Sequence, residues 1–71
     1  MSIEILSPMP GTVVRILVKE GDTVQEGESI IVLESMKMEN YISTKSSGTV
    51  KEIKVSEQDK VNSKAVLMII G

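Results

Sequence analysis

Apolar residues occur along this chain in short runs that alternate with polar residues, and turn-forming residues separate the runs. Residues 49–55 show the pattern clearly, because Val50, Ile53 and Val55 are interspersed with charged residues, as in a half-buried strand. Glycine and proline punctuate the intervals between runs, where they favour turns over continued pairing. The pattern predicts eight short strands, at residues 2–6, 12–18, 23–24, 29–33, 39–43, 49–55, 60–61 and 65–70.

The segment from residue 28 to residue 43 contains neither glycine nor proline. It is too long for one strand, since strands seldom exceed about 10 residues. The chain therefore either reverses sharply near Met36 and Lys37 or continues as a helix, in which Glu34 and Lys37 would share one face. A reversal here lacks the Asn-Gly or Asp-Gly pair that a tight hairpin favours. We interpret such a turn as one that places Lys37 where its amine can project.

An internal repeat decides between the two alternatives. An offset of 37 residues places residues 11–13, Gly-Thr-Val, on residues 48–50, which have the same sequence. Under this offset the apolar run 30–33 falls on 67–70, which is also rich in β-branched residues, so the strand is favoured over the helix. Further matching pairs are Ile5 with Ile42, Ile16 with Ile53, Val18 with Val55, Glu20 with Glu57, Asp22 with Asp59, and Val24 with Val61.

The repeat also predicts the architecture. Two similar β units, each too small to bury its own apolar face, are expected to pack around a pseudo-two-fold axis. We therefore predict an all-β fold, a flattened barrel or sandwich of two small antiparallel sheets. The offset leaves residues 35–38 opposite a gap between Gly71 and Met1. Both termini should consequently lie side by side, at the opposite end of the molecule from Lys37.

Composition excludes several classes of function. The chain has 71 residues with no cysteine and no histidine, which excludes disulfides, thiolate metal sites and nucleophilic triads that use histidine. A net charge of −2 and a single aromatic residue, Tyr41, argue against nucleic-acid binding. The apolar runs are too short to span a membrane or to form a signal peptide. We expect one cytoplasmic domain, residues 1–71, that does not insert into membranes and does not catalyse a reaction alone.

Residues 34–39, Glu-Ser-Met-Lys-Met-Glu, resemble the attachment motif of the biotinyl (biotin carboxyl carrier) domain family. Residues 7–13 are similar to the first turn of that family and residues 18–24 to the second, so the resemblance covers nearly the whole chain. It is closest to the carrier domains of transcarboxylase and the biotin-dependent decarboxylases. The resemblance implies the barrel-sandwich hybrid fold that biotinyl and lipoyl domains share.

The resemblance implies that Lys37 carries biotin in an amide bond, formed when its deprotonated amine attacks biotinyl-adenylate on a biotin protein ligase. It implies a non-catalytic carrier in a biotin-dependent carboxylase, decarboxylase or transcarboxylase. Such a carrier moves a carboxyl group between biotin carboxylase and carboxyltransferase active sites, where tethering raises the effective concentration. Met36 and Met38, on either side of Lys37, are expected to offer an adaptable apolar surface to these partners.

The second half departs from the family pattern. Thr44-Lys45 replaces Ala-Pro, and Gln58 and Lys64 occupy the positions matched by Gly21 and Gly27. Ser35 also replaces the usual alanine. Two other functions stay open: a lipoyl-type acyl carrier, in which Asp-Lys-Ala would be the usual tip, and an unmodified interaction module of lipoyl-like fold.

Overall fold

The short apolar runs form strands, and glycine or polar residues lie at the turns between them. The computed structural model describes residues 1–71, contains no helix, and therefore has no helix that could cross a membrane. The eight strands are β1 (Ile3–Leu6), β2 (Gly11–Ile16), β3 (Thr23–Val24), β4 (Ser29–Ser35), β5 (Met38–Ser43), β6 (Gly48–Ile53), β7 (Lys60–Val61) and β8 (Val66–Ile70).

The strands pair into two antiparallel four-stranded sheets, with orders β1-β8-β6-β3 and β5-β4-β2-β7. The repeat offset of 37 residues relates the two sheets strand by strand. It maps β1 to β5, β8 to β4, β6 to β2 and β3 to β7, so the strand order is the same in both sheets. The all-β, two-sheet prediction is confirmed, and the helix alternative for residues 28–43 is wrong. The molecule is elongated, with extents of 33 × 17 × 17 Å.

The strands β2 and β6 end earlier than their apolar patterns predict, at Ile16 and Ile53. At both points a carboxylate from the other half of the chain accepts the main-chain hydrogen bond. The Ile16 N–H donates to Glu57 Oε2 at 3.3 Å, and the Ile53 N–H donates to Glu20 Oε2 at 3.0 Å. A side chain from the other half of the repeat thus serves as the hydrogen-bond partner of each strand end.

A single hydrophobic core lies between the two sheets and draws on both halves of the repeat. No buried side-chain nitrogen or oxygen atom lacks a hydrogen-bond partner. Even the two buried polar residues, Ser7 and Thr44, are repeat mates, and each donates its hydroxyl to a carbonyl two residues later. The core residues are Ile5, Val13, Val18, Val24, Ile30, Ile31, Leu33, Ile42, Val50, Leu67, Met68 and Ile70.

The four turns that precede strands β3, β4, β7 and β8 share one backbone conformation. Gly21 and Gly27 have φ of 94° and 88°, and their repeat mates Gln58 and Lys64 have φ of 77° and 71°. The positive-φ conformation has been kept although glycine has been replaced. A non-glycine residue in this region is disfavoured by about 1–2 kcal/mol, so the second half stores strain that the first half avoids.

The two termini are neighbours, as the repeat predicts. Ile3 pairs with Ile70, and a Cβ added at Gly71 would lie 2.9 Å from Ser2 Oγ. Strand β2 starts beside the β4–β5 turn, where Thr12 pairs with Glu34, and leads away from that turn. Beyond its far end, in the turn before β3, the Gly21 N–H donates to the Val50 carbonyl at 2.8 Å, and Val50 pairs with Ile70. The termini therefore lie at the end of the molecule opposite the β4–β5 turn.

We predict that Gln58→Gly and Lys64→Gly each stabilise the domain, by up to about 1 kcal/mol, because glycine relieves the positive-φ strain. Greater freedom of the unfolded chain offsets part of this gain. Urea unfolding provides the measurement, and Gln58→Ala and Lys64→Ala are the matched controls, because alanine removes the side chain but keeps the strain. A loss of stability in both glycine variants would contradict the prediction.

Candidate functional site

Lys37 lies at the tip of the β4–β5 hairpin, where the chain reverses in two residues. Ser35, the last residue of β4, pairs with Met38, the first residue of β5, so Met36 and Lys37 alone form the loop. Their φ values are 54° and 65°. Two consecutive positive φ values define a type I′ turn, the turn whose twist matches that of the flanking strands.

The turn is strained because neither loop residue is glycine or asparagine. Each carries a disfavoured left-handed conformation, at about 1–2 kcal/mol per residue. Strain of this kind persists where the surrounding structure enforces it, and it is concentrated at functional sites. The hairpin that enforces it is rigid, since Ile31, Val32 and Leu33 of β4 have no solvent exposure.

The close packing of β2 against β4 holds the base of the tip. A Cβ at Gly11 would lie 2.7 Å from the Glu34 carbonyl oxygen, so only glycine permits this approach. On the β5 side, the Asn40 Nδ2 donates to the Met38 carbonyl at 3.2 Å. The side chains of Met36 and Lys37 make no hydrogen bonds of this kind. Their position is set by strands β4 and β5, which the loop joins.

The side chains of the tip point into solvent. Lys37 is exposed and takes part in neither of the two ion pairs of the structure, Arg15–Glu39 and Lys54–Glu52. Met36 is 93% exposed and Met38 is 66% exposed, and neither belongs to the core. The three residues singled out in the sequence therefore lie together, with a free amine between two free thioethers.

Charged residues surround the base of the tip. Glu34 and Glu39 pair directly across the hairpin, which places two carboxylates side by side. Arg15 on β2 approaches Glu39, with 3.6 Å between Nη2 and Oε1, and both side chains are about half exposed. Such an exposed pair contributes little stability. Sequence reasoning missed Arg15, because its place beside the tip depends on the bulged register between β2 and β4.

The site protrudes and contains no pocket. The cavity of the molecule lies between the edge strands β1 and β5 and is lined by Ile3, Leu6, Tyr41, Thr44 and their neighbours. Lys37 does not line it. A group attached to the Lys37 amine would therefore be presented outward, away from the body of the domain.

These features define a class of protein: a small two-sheet β domain that presents a lysine on a strained, protruding hairpin. A model of the biotin-requiring enzyme family, of the biotin/lipoyl attachment type, matches residues 3–70. The chain belongs to this family, and the resemblance found in the sequence is confirmed.

Relatives and solved structures agree with this membership. Over 65 residues the chain is 47% identical to the biotin carboxyl carrier protein of Streptococcus mutans, covering 92% of this chain and 50% of that protein. Over 36 residues it is 64% identical to the methylmalonyl-CoA carboxyltransferase 1.3S subunit of Propionibacterium freudenreichii, covering 51% of this chain and 29% of that protein. The Kluyveromyces lactis urea carboxylase structure matches with a TM-score of 0.94 at 25% identity, over 100% of this chain and 6% of that one. The chain spans half or less of these proteins.

We predict that Lys37→Gly makes the domain more stable than Lys37→Ala, by about 1 kcal/mol, because both remove the amine and only glycine relieves the strain at φ 65°. Thermal or urea unfolding of the two variants gives the difference. Equal stabilities would mean that the tip relaxes to another turn once the lysine is removed.

Proposed function

We propose that residues 1–71 form a biotin carboxyl carrier domain in which Lys37 is the attachment site. The observation that carries the proposal is the exposed, unpaired Lys37 on a strained two-residue tip, flanked by Met36 and Met38, in a member of the biotin-requiring family. A lysine held at such a position has no structural purpose that a glycine would not serve better.

The geometry of the tip suits the attachment reaction. The deprotonated Lys37 Nζ attacks an activated biotin carboxyl carbon and the new N–C bond forms; the activating group leaves with the electron pair, and the nitrogen releases a proton to give the amide. Lys37 is exposed at the end of the hairpin, so a ligase can reach its amine without unfolding of the domain. Because the loop is only two residues long, the main chain holds Cα of Lys37 in place while its side chain is exposed and forms no ion pair.

Biotin, when attached, supplies a ring nitrogen that carries a carboxyl group between active sites. This chain supplies no catalytic group for that chemistry and acts as the tether. Tethering replaces diffusion of a free cofactor by a high local concentration at both sites. The termini lie at the opposite end from Lys37, so that a host attached there leaves the tip free.

Three partners follow from the proposal: a biotin protein ligase, a biotin carboxylase and a carboxyltransferase. The names of the relatives, a biotin carboxyl carrier protein and a carboxyltransferase subunit, support the last two in general terms. Met36 and Met38 are proposed to contact these partners, because they are the apolar side chains next to the amine. A cytoplasmic location is part of the proposal.

We predict that Lys37→Arg abolishes biotin uptake when the domain is produced with a biotin protein ligase and free biotin. The guanidinium keeps the positive charge but stays protonated and is not a nucleophile. Intact mass spectrometry measures the attached group, and a parallel reaction with a lipoate ligase and lipoate tests the lipoyl alternative.

Lys54→Arg is the matched control, since Lys54 is also an exposed lysine but lies just after β6 in an ion pair with Glu52. It should take up one biotin, like the unaltered chain. Biotin on the Lys37→Arg protein would refute the assignment of the site, and lipoyl on the unaltered chain in place of biotin would establish the alternative carrier. A chain that takes up neither group would support the unmodified interaction module.

A further inference from the structure

The methionines of this chain fall into two groups that differ in exposure. Met68 has no solvent exposure and belongs to the core, and Met9 is partly buried and packs against it. Met36 and Met38, by contrast, are exposed at the tip, and Met1 is exposed at the terminus. The two tip methionines thus contribute nothing to the core, and packing does not explain why they are methionine rather than another residue.

Their distinguishing property is the thioether sulfur. Leucine would offer a similar apolar surface, but only methionine sulfur is readily oxidised by two electrons. The chain has no cysteine, so methionine sulfur is the only site on it for this chemistry. Two of these sulfurs flank Lys37 in sequence, and the two-residue turn keeps all three side chains at one end of the hairpin.

We propose that Met36 and Met38 form an oxidation site for hydroperoxides that controls the loading of Lys37. The inference rests on the function proposed above. In the step, a sulfur lone pair attacks the terminal peroxide oxygen, an S–O bond forms and the O–O bond breaks. The thioether is oxidised to a sulfoxide, and hydrogen peroxide is reduced to water. A dithiol reductant reverses the step, since sulfoxide reduction yields the thioether, a disulfide and water.

Oxidation changes the surface of the tip and leaves the fold intact. Any protein that draws Lys37 into its active site must contact the residues on either side of it, because the loop contains only Met36 and Lys37. A sulfoxide there carries a strong hydrogen-bond acceptor that is desolvated on docking, and burial of such a group without a partner weakens binding. Neither sulfur contacts the core, so the unfolding transition of the domain is expected to stay the same.

The test begins with purified, unbiotinylated chain treated with hydrogen peroxide, which is then destroyed with catalase. Peptide mapping by mass spectrometry should find Met36 and Met38 oxidised about as fast as Met1, the internal reference for an exposed methionine, while Met68 stays reduced. Protection of Met36 and Met38 to the level of Met68 would overturn the proposal.

The second readout is the initial rate of biotin incorporation by a biotin protein ligase, as the ratio of treated to untreated protein. For the unaltered chain the ratio should fall about tenfold or more. A loss of this size is expected when docking buries one polar group that lacks a full set of hydrogen bonds. It should fall equally for Met9→Leu, the control that removes a partly buried methionine and keeps both tip sulfurs. The Met36→Leu, Met38→Leu double variant should keep a ratio near one, because its tip has no sulfur.

The outcomes separate this proposal from the carrier function. A selectively oxidised tip that loads at the untreated rate would overturn the oxidation site and leave the carrier function standing. An equal loss of rate in the double leucine variant would also overturn it, by assigning the loss to Met1 or to another residue. A chain that takes up no biotin before treatment would refute the carrier function and the control of loading together.

Discussion

Neither half of this chain can bury its apolar face without the other half, and this constraint shapes the whole domain. A chain of this size buries only about 60% of its surface on folding, and half of it would bury far less. The core therefore forms between the sheets, with Val13 and Ile31 from one half against Val50 and Met68 from the other. The carboxylates of Glu20 and Glu57 cross between the halves in the same reciprocal way. Folding of one half thus requires the other.

The shared core explains how the tip tolerates its strain. Residues Ile31 to Leu33 are fully buried, and β5 pairs with β4 from Ser29 to the turn. The register of the hairpin is therefore fixed by burial on β5, where Ile42 is buried between the exposed Tyr41 and Ser43, because a shift by one residue would exchange the two faces of this strand. The turn must then close in two residues whatever their identity. Met36 and Lys37 adopt positive φ because the core decides where the hairpin ends.

The two-fold repeat is broken at the two ends of the molecule. At one end the hairpin closes with Met36 and Lys37, and at the other the equivalent turn is absent and the termini lie there instead. The scaffold between the ends keeps its symmetry, including the turns at Gln58 and Lys64, which retain positive φ without glycine. Gln58 and Lys64 adopt the same backbone conformation as Gly21 and Gly27 although they are not glycine. The packed core therefore determines these turns, and the conformational preference of the individual residue is secondary. A scaffold with an exposed lysine at one end and both termini at the other is what the proposed tethered carrier requires.

The sequence alone determined the strands, the two-fold repeat, the two-sheet architecture, the place of the termini and the chain reversal at Met36 and Lys37. These features follow from the alternation of apolar residues and from internal similarity, which the order of residues contains directly. Tertiary structure decided the early ends of β2 and β6, the Arg15–Glu39 pair beside the tip and the type I′ geometry of the turn. Local preference predicts none of these, since Met-Lys does not favour a tight hairpin. Each depends on strand register, which only the joint burial of both halves in one core fixes.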